Sequence, residues 1–280
     1  MDFDLVIIGS GPGGYVAAIR GAQLGLKVAI IEKEALGGIC LNWGCIPTKS
    51  FLRSAEVLKF IKGSEKYGIK SKLEDVDIRE VVKRSRSIAK KLSSGVEYLL
   101  KKNKVVIFDG EASFKTSKSI IITSKNNVVK EISCKNICIA SGGRPREISG
   151  VPNSSNVWFY KEALQVDKIP NKLLVVGSGA IGVEFASFFA QMGSEVSVLE
   201  SKSTILPNED LEVSNFVEKQ FLNRGIKIYK NHSLLSLKEK GSLFEAELKS
   251  ENKMLSLEFE KAILAVGIVG NIENLNLESI

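Results

Sequence analysis

Residues 9–32 read GSGPGGYVAAIRGAQLGLKVAIIE, and residues 177–200 repeat the pattern without a gap as GSGAIGVEFASFFAQMGSEVSVLE. Ten of the 24 aligned positions are identical, including three glycines that have the same spacing in both copies and the final glutamate. A short apolar run precedes each copy, which is typical of a strand buried on both faces of a parallel sheet. Together with the run before it, each copy predicts a strand, a glycine turn, a helix and a second strand, in that order. We therefore expect an α/β chain with two Rossmann-like domains built on parallel central sheets.

The three glycines of each copy have the spacing GxGxxG: Gly9, Gly11 and Gly14 in the first copy, and Gly177, Gly179 and Gly182 in the second. In a dinucleotide-binding turn the first glycine permits the tight turn, the second admits the pyrophosphate and the third packs the helix on the strand. One such motif is weak evidence for a site. Two copies, each between a strand and a helix, predict two dinucleotide sites.

A glutamate ends each copy, Glu32 in the first and Glu200 in the second. At this distance from the glycines a carboxylate can accept hydrogen bonds from a ribose hydroxyl pair. It would also repel the 2′-phosphate of NADP, for which an arginine is the usual partner, and only Lys202 follows Glu200 closely. The second site therefore favours NAD over NADP.

Residues 37–49 read GGICLNWGCIPTK and place two cysteines five residues apart. In a reducing compartment such as the cytosol, two cysteines close together in sequence indicate redox chemistry or metal binding rather than a structural disulfide. A regular helix would hold Cys40 and Cys45 too far apart for a disulfide, so we expect Cys40 in a turn or distorted first turn and Cys45 near the helix start. Lys49 would share a helix face with Cys45.

Zinc binding is the alternative use of these cysteines, and we disfavour it. The spacing is not the two-residue gap usual for zinc, and the sole histidine, His232, is distant in sequence. Cys134 and Cys138 are predicted to lie on one face of a strand as core cysteines. We expect no metal site, and we interpret His232 as a surface histidine.

The pattern divides the chain into residues 1–146 and 147–270, with residues 271–280 beginning a return to the first domain. A small β-meander is expected after residue 229. Helices are predicted over residues 40–62, 76–102 and 210–224, and strands over 105–108, 120–122, 137–140, 226–229 and 262–266.

Composition excludes several functions. The net charge is +7, but the lysines are dispersed and form no basic block interleaved with aromatic residues, so we expect no nucleic-acid partner. No apolar run approaches the roughly 20 residues that span a bilayer. The N-terminus shows no basic leader with a cleavage site, so we expect a cytoplasmic protein without membrane attachment.

The cysteine segment together with the two glycine motifs resembles the pyridine nucleotide–disulfide oxidoreductases. The resemblance implies a redox disulfide between Cys40 and Cys45 and a catalytic set completed by Lys49 and Glu184, which would pair with each other. It implies FAD contacts at Gly9, Gly11, Gly14, Glu32, Lys33, Gly38, Lys49, Ala112, Ser141, Gly142 and Gly143. It implies NAD contacts at Gly177, Gly179, Ile181, Gly182, Glu184, Glu200, Leu234 and Gly267.

Within the family the segment is most similar to the branch that oxidises protein-bound dihydrolipoamide with NAD⁺. The partners implied are a lipoyl domain and the E2 core of 2-oxo-acid dehydrogenase complexes. Two alternatives stay open: a glutathione- or mercuric-type reductase, which Glu200 disfavours, and a catalytically incomplete nucleotide-binding fragment.

The chain departs from the family in three places. Ala180 stands where a tyrosine is common, and the stretch 265–271 lacks the usual arginine and proline. The family continues past residue 280 into a dimerisation domain that carries a His–Glu base. We therefore expect a truncated chain in which homodimerisation is doubtful.

Overall fold

The computed structural model of the chain describes residues 1–152, 154–241, 243–251 and 253–280. The chain forms two compact units: unit 1 comprises residues 1–47, 86–144 and 269–280, and unit 2 comprises residues 48–85 and 145–268. Each unit contains a sheet with parallel strands and associated helices, so the predicted α/β class is confirmed.

Unit 1 is built on a six-stranded sheet in the order β3-β2-β1-β6-β5-β4. Its strands are β1 (Phe3–Ile8), β2 (Val28–Glu32), β3 (Val106–Asp109), β4 (Glu111–Thr116), β5 (Ser119–Thr123) and β6 (Val129–Ile139). Strands β3, β2, β1 and β6 are parallel, whereas β5 and β4 continue the sheet as an antiparallel meander. The helices of this part of the chain are α1 (Pro12–Gln23), α2 (Gly38–Trp43), the start of α3 (Cys45–Lys62) and most of α4 (Ile78–Lys102).

Alternate residues of β1 and β2 supply two apolar clusters in unit 1. Val6 and Ile8 pack with the meander, whereas Ile7 and Ile30 pack with helical residues such as Ala18. The central strands are therefore apolar on both faces, which is the reason that the sequence shows continuous rather than alternating hydrophobicity there.

Unit 2 is built on a five-stranded parallel sheet in the order β11-β10-β9-β15-β8 and a separate antiparallel meander, β12-β13-β14. The parallel strands are β8 (Val157–Trp158), β9 (Lys172–Val176), β10 (Glu195–Leu199), β11 (Lys227–Tyr229) and β15 (Lys261–Leu264). The meander strands are β12 (Ser233–Lys240), β13 (Leu243–Lys249) and β14 (Met254–Phe259). The helices are α5 (Tyr160–Ala163), α6 (Ala180–Met192), α7 (Leu211–Asn223) and the parts of α3 and α4 between residues 48 and 85.

Short elements complete the chain. Strands β7 (Gly143–Pro145) and β16 (Ile268–Gly270) pair with each other where the chain passes between the units, and 3₁₀ turns occupy Ser64–Tyr67, Glu273–Leu275 and Leu277–Ser279. No helix in the described ranges has both the length and the apolar character needed to cross a membrane.

The domain boundary differs from the sequence expectation. We expected residues 48–85 in the first domain, but they cluster with unit 2. Phe51 lies against Phe188 of α6, with ring centroids 4.7 Å apart, and Ala55 and Ile78 join the same core. These apolar contacts join residues of the 48–85 segment to the core of unit 2. At the other end, residues 269–280 belong to unit 1, where Leu275 packs on the meander core.

The two strand cysteines also differ from expectation. Cys134 is fully buried in the cluster that contains the meander, whereas Cys138 packs against the cluster that contains the helices. They therefore lie on opposite faces of the sheet rather than on one. The alternation changes within β6, since Ile132 and Ile137 both contact the cluster that contains the meander although they are five positions apart, an odd offset that would place them on opposite faces of a regular strand. This strand exchanges its antiparallel partner β5 for its parallel partner β1 over the same stretch.

Candidate functional site

The first glycine turn joins β1 to α1 in unit 1. Gly9 has φ +99°, and a Cβ built there would lie 2.2 Å from the carbonyl oxygen of Ala140. A Cβ on Gly14 would lie 1.9 Å from the carbonyl oxygen of Gly9. A Cβ on Gly11, the residue that precedes α1, would meet no described atom within 4 Å. The fold therefore requires the first and third glycines, and the second leaves open space at the start of the helix.

Glu32 braces this turn from the end of β2. Its Oε2 accepts hydrogen bonds from the backbone N–H of Ser10 at 2.9 Å and from the Ser10 hydroxyl at 2.6 Å. Its Oε1 accepts from the backbone N–H groups of Lys33 and Glu34, both at 2.9 Å. Ser10 was not among the residues predicted from the sequence, although its identity with Ser178 in the repeat could have identified it.

The second glycine turn, in unit 2, reproduces this geometry. Cβ atoms on Gly177 and Gly182 would lie 2.4 Å from the carbonyl oxygen of Ala265 and 2.0 Å from that of Gly177, whereas one on Gly179 would meet no described atom within 4 Å. Each turn therefore combines two sterically required glycines with one open position.

Glu200 is only 7% exposed at the end of β10. Its Oε2 accepts from the backbone N–H of Ser178 at 3.0 Å and from the Ser178 hydroxyl at 2.6 Å, and its Oε1 accepts from the backbone N–H of Lys202 at 2.9 Å. The carboxylate is thereby held in one orientation beside the turn.

The cysteine segment is fastened to the first glycine turn. The backbone N–H of Gly37 donates to the carbonyl oxygen of Ser10 at 3.0 Å. A Cβ on Gly38 would lie 2.7 Å from the Cα of Gly11, so the two backbones are in direct contact and only glycine fits. Gly37 and Gly38 also have positive φ values, +91° and +59°. The helix that carries Cys40 thus begins beside the open position of the turn.

The two cysteines occupy separate helices. Cys45 is the first residue of α3, as predicted, and is exposed. Cys40 is the third residue of α2, a six-residue helix, so it lies in a first helical turn as expected, although this helix is separate from α3. The expectation of one helix over residues 40–62 was wrong because the backbone at Gly44, with φ −139° and ψ −111°, interrupts it. All four cysteines are described, and all four are thiols in this structure.

Lys49 and Glu184 form the ion pair that the resemblance implied. Lys49 Nζ lies 2.6 Å from Glu184 Oε1, which joins α3 to α6 within unit 2. Lys49 also lies four residues after Cys45 along α3.

The remaining residues expected around FAD lie at several places in unit 1. The backbone at Ser141 and Gly142 accepts hydrogen bonds from Asn271, whose Nδ2 and backbone N–H donate at 3.0 Å each. Gly143 begins β7, and Lys33 forms an exposed ion pair with Glu111 at 3.1 Å. The side chain of Ala112 is buried in the core.

The remaining residues expected around NAD lie in unit 2. Ile181 is exposed near the start of α6, and Gly267 has φ +108°. Leu234 is partly buried against the apolar cluster that contains residues of the β12-β13-β14 meander. His232 is partly buried. Its backbone N–H donates to the carbonyl oxygen of Glu200 at 3.1 Å, and its Nδ1 lies 2.7 Å from the carbonyl oxygen of Lys230.

Metal binding has no support in the described part of the chain, where no group of three or more His, Cys, Asp or Glu side chains could hold an ion. The zinc alternative for the cysteines therefore has no ligand set among these residues.

Among curated relatives, dihydrolipoyl dehydrogenase of Zymomonas mobilis is 46% identical over 280 residues, covering 99% of this chain and 60% of that protein. Dihydrolipoyl dehydrogenase of Rhizobium etli is 44% identical over 297 residues, covering 99% and 61%. The chain thus spans about 60% of the length of these relatives.

Solved structures show the same fold. A Cu(II) complex of the HOCl-induced flavoprotein disulfide reductase RclA from Escherichia coli superimposes with a TM-score of 0.84 at 26% identity, covering 100% of this chain and 59% of that one. LpdA from Mycobacterium tuberculosis superimposes with a TM-score of 0.90 at 23% identity, covering 99% and 61%. The family model described as pyridine nucleotide-disulphide oxidoreductase matches residues 3–280. Since this match spans almost the whole chain, the chain belongs to the pyridine nucleotide-disulphide oxidoreductases.

Proposed function

We propose that this chain carries the FAD and NAD sites and the redox cysteines of an enzyme that oxidises dihydrolipoamide with NAD⁺. The observation that carries the proposal is the attachment of the cysteine segment to the first glycine turn, through the Gly37–Ser10 hydrogen bond and the contact of Gly38 with Gly11. A dinucleotide on that turn would lie beside the helix that bears Cys40. This arrangement suits a cofactor that exchanges electrons with thiols.

The residues of unit 1 fit FAD. The first backbone N–H groups of α1 have no acceptor within the helix and carry a partial positive charge, which suits a pyrophosphate. The open position at Gly11 admits that pyrophosphate, and Glu32 stands at the strand end where a ribose is bound in this kind of site. Unit 2 offers the same features to NAD at Gly179 and Glu200.

The thiol chemistry belongs to the chain's own residues. A substrate thiolate attacks the Cys40 sulfur of the Cys40–Cys45 disulfide, and Cys45 departs as a thiolate. The second substrate thiolate then displaces Cys40, which leaves an oxidised substrate and two reduced cysteines after the transfer of two electrons. FAD, when bound, supplies an acceptor for those electrons and a donor of hydride to NAD⁺. Lys49, held by Glu184, places a cation four residues beyond Cys45 on the same helix.

The relatives named dihydrolipoyl dehydrogenase favour a lipoyl substrate, delivered by a lipoyl domain or the E2 core of a 2-oxo-acid dehydrogenase complex. The rival is a reductase of the glutathione or mercuric type. The orientation of Glu200 supports the use of NAD rather than NADPH, and it therefore favours the oxidation of a lipoyl substrate over the rival reductases. Homodimerisation is expected of the longer family members and is no part of this proposal.

The deciding experiment compares cofactors and substrates on the whole chain. We expect the purified chain to bind FAD with a visible flavin spectrum, to bind NADH more tightly than NADPH and to lose two titratable thiols on oxidation. Dihydrolipoamide should reduce the oxidised Cys40–Cys45 pair, whereas Cys40→Ser and Cys45→Ser should not be reduced although they still bind FAD. Tighter binding of NADPH, or reduction by reduced glutathione in preference to dihydrolipoamide, would favour the rival. Failure to bind FAD would refute the proposal.

A further inference from the structure

The segment between the two cysteines determines how far apart the thiols stand. Only Leu41, Asn42, Trp43 and Gly44 separate Cys40 from Cys45, and the chain leaves α2 and enters α3 within them. Gly44 provides the change of direction and has no side chain to fix it. Whatever holds Asn42 and Trp43 therefore controls the geometry of the pair.

Arg86 of α4 contacts both of these residues within unit 1. Its Nη2 donates a hydrogen bond to the carbonyl oxygen of Asn42. Its guanidinium carbon lies 4.2 Å from the centroid of the Trp43 ring, which is a cation–π stack. One planar side chain therefore holds the main chain and the side chain at the end of α2.

Ser93 adds a second contact from the same helix. It lies seven residues after Arg86, which is two turns along one face of α4. Its hydroxyl donates to Asn42 Oδ1 at 3.0 Å, while Asn42 Nδ2 donates to the carbonyl oxygens of Leu36 and Gly38 at 2.9 Å each. Asn42 is thus tied to the start of α2 and to α4 together.

The position of Arg86 has a cost for folding. Its Nε is buried and has no hydrogen-bond acceptor in the described part of the chain, which is unusual in a native protein. Burial lowers the pKa of its guanidinium, although arginine stays charged at any physiological pH. An apolar side chain would fill this space without either penalty. The contacts of Arg86 with Asn42 and Trp43 therefore explain why an arginine occupies this position.

We propose that Arg86 is a positioning residue for the redox pair, which holds Asn42 and Trp43 so that Cys40 and Cys45 stand at the separation from which they close their disulfide. The inference rests on the proposed function, since only a pair that cycles between dithiol and disulfide gains from a preset separation. A side chain that pre-organises two thiols raises their effective concentration toward each other and favours the disulfide.

Equilibration of the whole chain with glutathione buffers, without oxygen, measures this effect directly. One cysteine thiolate attacks glutathione disulfide and releases one glutathione thiolate. The second cysteine then displaces the other, so that two protein thiols are oxidised and one glutathione disulfide becomes two thiols. Trapping the remaining thiols with an alkylating reagent and weighing the protein gives the equilibrium constant for closing the pair.

We expect Arg86→Gln to lower this constant by about tenfold, because the stack and the hydrogen bond are both lost. Arg86→Lys should give an equilibrium constant between those of Arg86→Gln and the unchanged chain, because lysine keeps the positive charge but lacks the planar guanidinium group. Arg79→Gln, which removes an exposed arginine from the same helix, is the matched control and should equal the unchanged chain. If Arg86→Gln does not fold, Trp43→Leu removes the stack alone and should lower the constant by about threefold.

Each result decides one question. If the unchanged chain forms no disulfide at any glutathione ratio, the proposed function fails. Suppose instead that the unchanged chain forms the disulfide. If the equilibrium constant of Arg86→Gln, or of Trp43→Leu in its place, then stays within twofold of that of the unchanged chain, only the role of Arg86 fails. Full recovery in Arg86→Lys would assign the effect to charge and overturn the positioning role.

Discussion

Lys49 Nζ lies 2.6 Å from Glu184 Oε1, a contact between residues 135 positions apart in the sequence. The lysine side chain is 63% exposed and that of the glutamate 26%. Ion pairs at this exposure contribute about 0–1 kcal/mol to stability. The stability of unit 2 therefore does not explain the pair, whereas the proposed thiol chemistry does, because Lys49 and Cys45 share one helix.

The first prediction follows from that argument. Glu184→Gln should change the melting temperature by no more than about 4 °C. It should slow the reduction of the Cys40–Cys45 disulfide by dihydrolipoamide about tenfold or more, because the Lys49 ammonium loses the anchor that fixes it. Thermal unfolding and rapid-mixing thiol measurements test the two parts.

The matched control is Glu80→Gln, which removes the exposed pair with Lys83 on α4, where Nζ and Oε1 are 2.9 Å apart. If dihydrolipoamide reduces the Cys40–Cys45 disulfide of both variants at the same rate, the Lys49–Glu184 pair has no role beyond a weak surface contact.

The second prediction contrasts two glycines of one turn. Gly182→Ala would place its Cβ 2.0 Å from the carbonyl oxygen of Gly177, a backbone atom, and should cost about 3 kcal/mol or more of folding free energy. Gly179→Ala meets no described atom within 4 Å and has φ −68°, which alanine adopts readily. It should fold normally but raise the Kd for NADH about tenfold or more, since the methyl group would occupy the space that we propose for the pyrophosphate.

Chemical denaturation and calorimetric titration with NADH separate these effects. Gly95→Ala, at an exposed helical glycine with no described atom within 4 Å of its Cβ position, controls for the alanine itself. Normal NADH affinity in Gly179→Ala would mean that the dinucleotide does not approach this turn.

The repeat made the central βαβ units predictable, because a buried parallel strand, a glycine turn and a helix each have a local signature. Strand β4 was missed because its residues alternate in polarity over a short length, with only Ala112 and Phe114 turned into the core. The grouping of residues 48–85 with unit 2 was not expected, because it involves the contact of Phe51 with Phe188, two residues 137 positions apart with no local pattern.

The same limit applies to the site. The glycines and both glutamates could be identified from spacing alone. Ser10 and Ser178 could have been identified from the repeat, but only the structure explains them as donors to the glutamates. Arg86 has no sequence signal, because nothing local links a residue in the middle of α4 to the carbonyl oxygen of Asn42.

The third prediction concerns alkaline pH. Burial raises the pKa of the Cys134 thiol above its ordinary value of 9.0. Above that pH the unfolded chain loses this proton while the folded chain keeps it, so the free energy of unfolding falls as pH rises, by up to about 1.4 kcal/mol per pH unit. Below pH 9 both states hold the proton, and the thiol adds no pH dependence.

Denaturation of Cys134→Ala between pH 8 and 10.5 should therefore show a shallower decline than the unchanged chain. Cys138→Ala, on the same strand but packed against the other cluster, is the control. Identical slopes in all three proteins would show that the burial of Cys134 does not influence its ionisation.

The fourth prediction concerns the choice between NAD and NADP. Ser178 donates twice to Glu200 Oε2, and the carboxylate is only 7% exposed, so its orientation depends on this serine. Ser178→Ala removes the 2.6 Å hydroxyl contact and lets the carboxylate rotate away from the ribose position. The NADPH/NADH ratio of Kd values should then fall about tenfold, because a hydrogen bond to a charged group contributes about 1.5–3 kcal/mol. Glu200→Gln should lower the ratio at least as far, since it removes the charge that repels the 2′-phosphate.

The internal repeat supplies the control for this experiment. Ser10→Ala removes the equivalent 2.6 Å contact to Glu32 in unit 1 and should weaken FAD binding without changing the NADPH/NADH ratio. A ratio that shifts equally in both serine variants would indicate general loosening of the fold. A ratio unchanged in Ser178→Ala but lowered in Glu200→Gln would mean that the charge discriminates without help from the hydroxyl. Glu200 alone, rather than Glu200 held in place by Ser178, would then discriminate between NADH and NADPH.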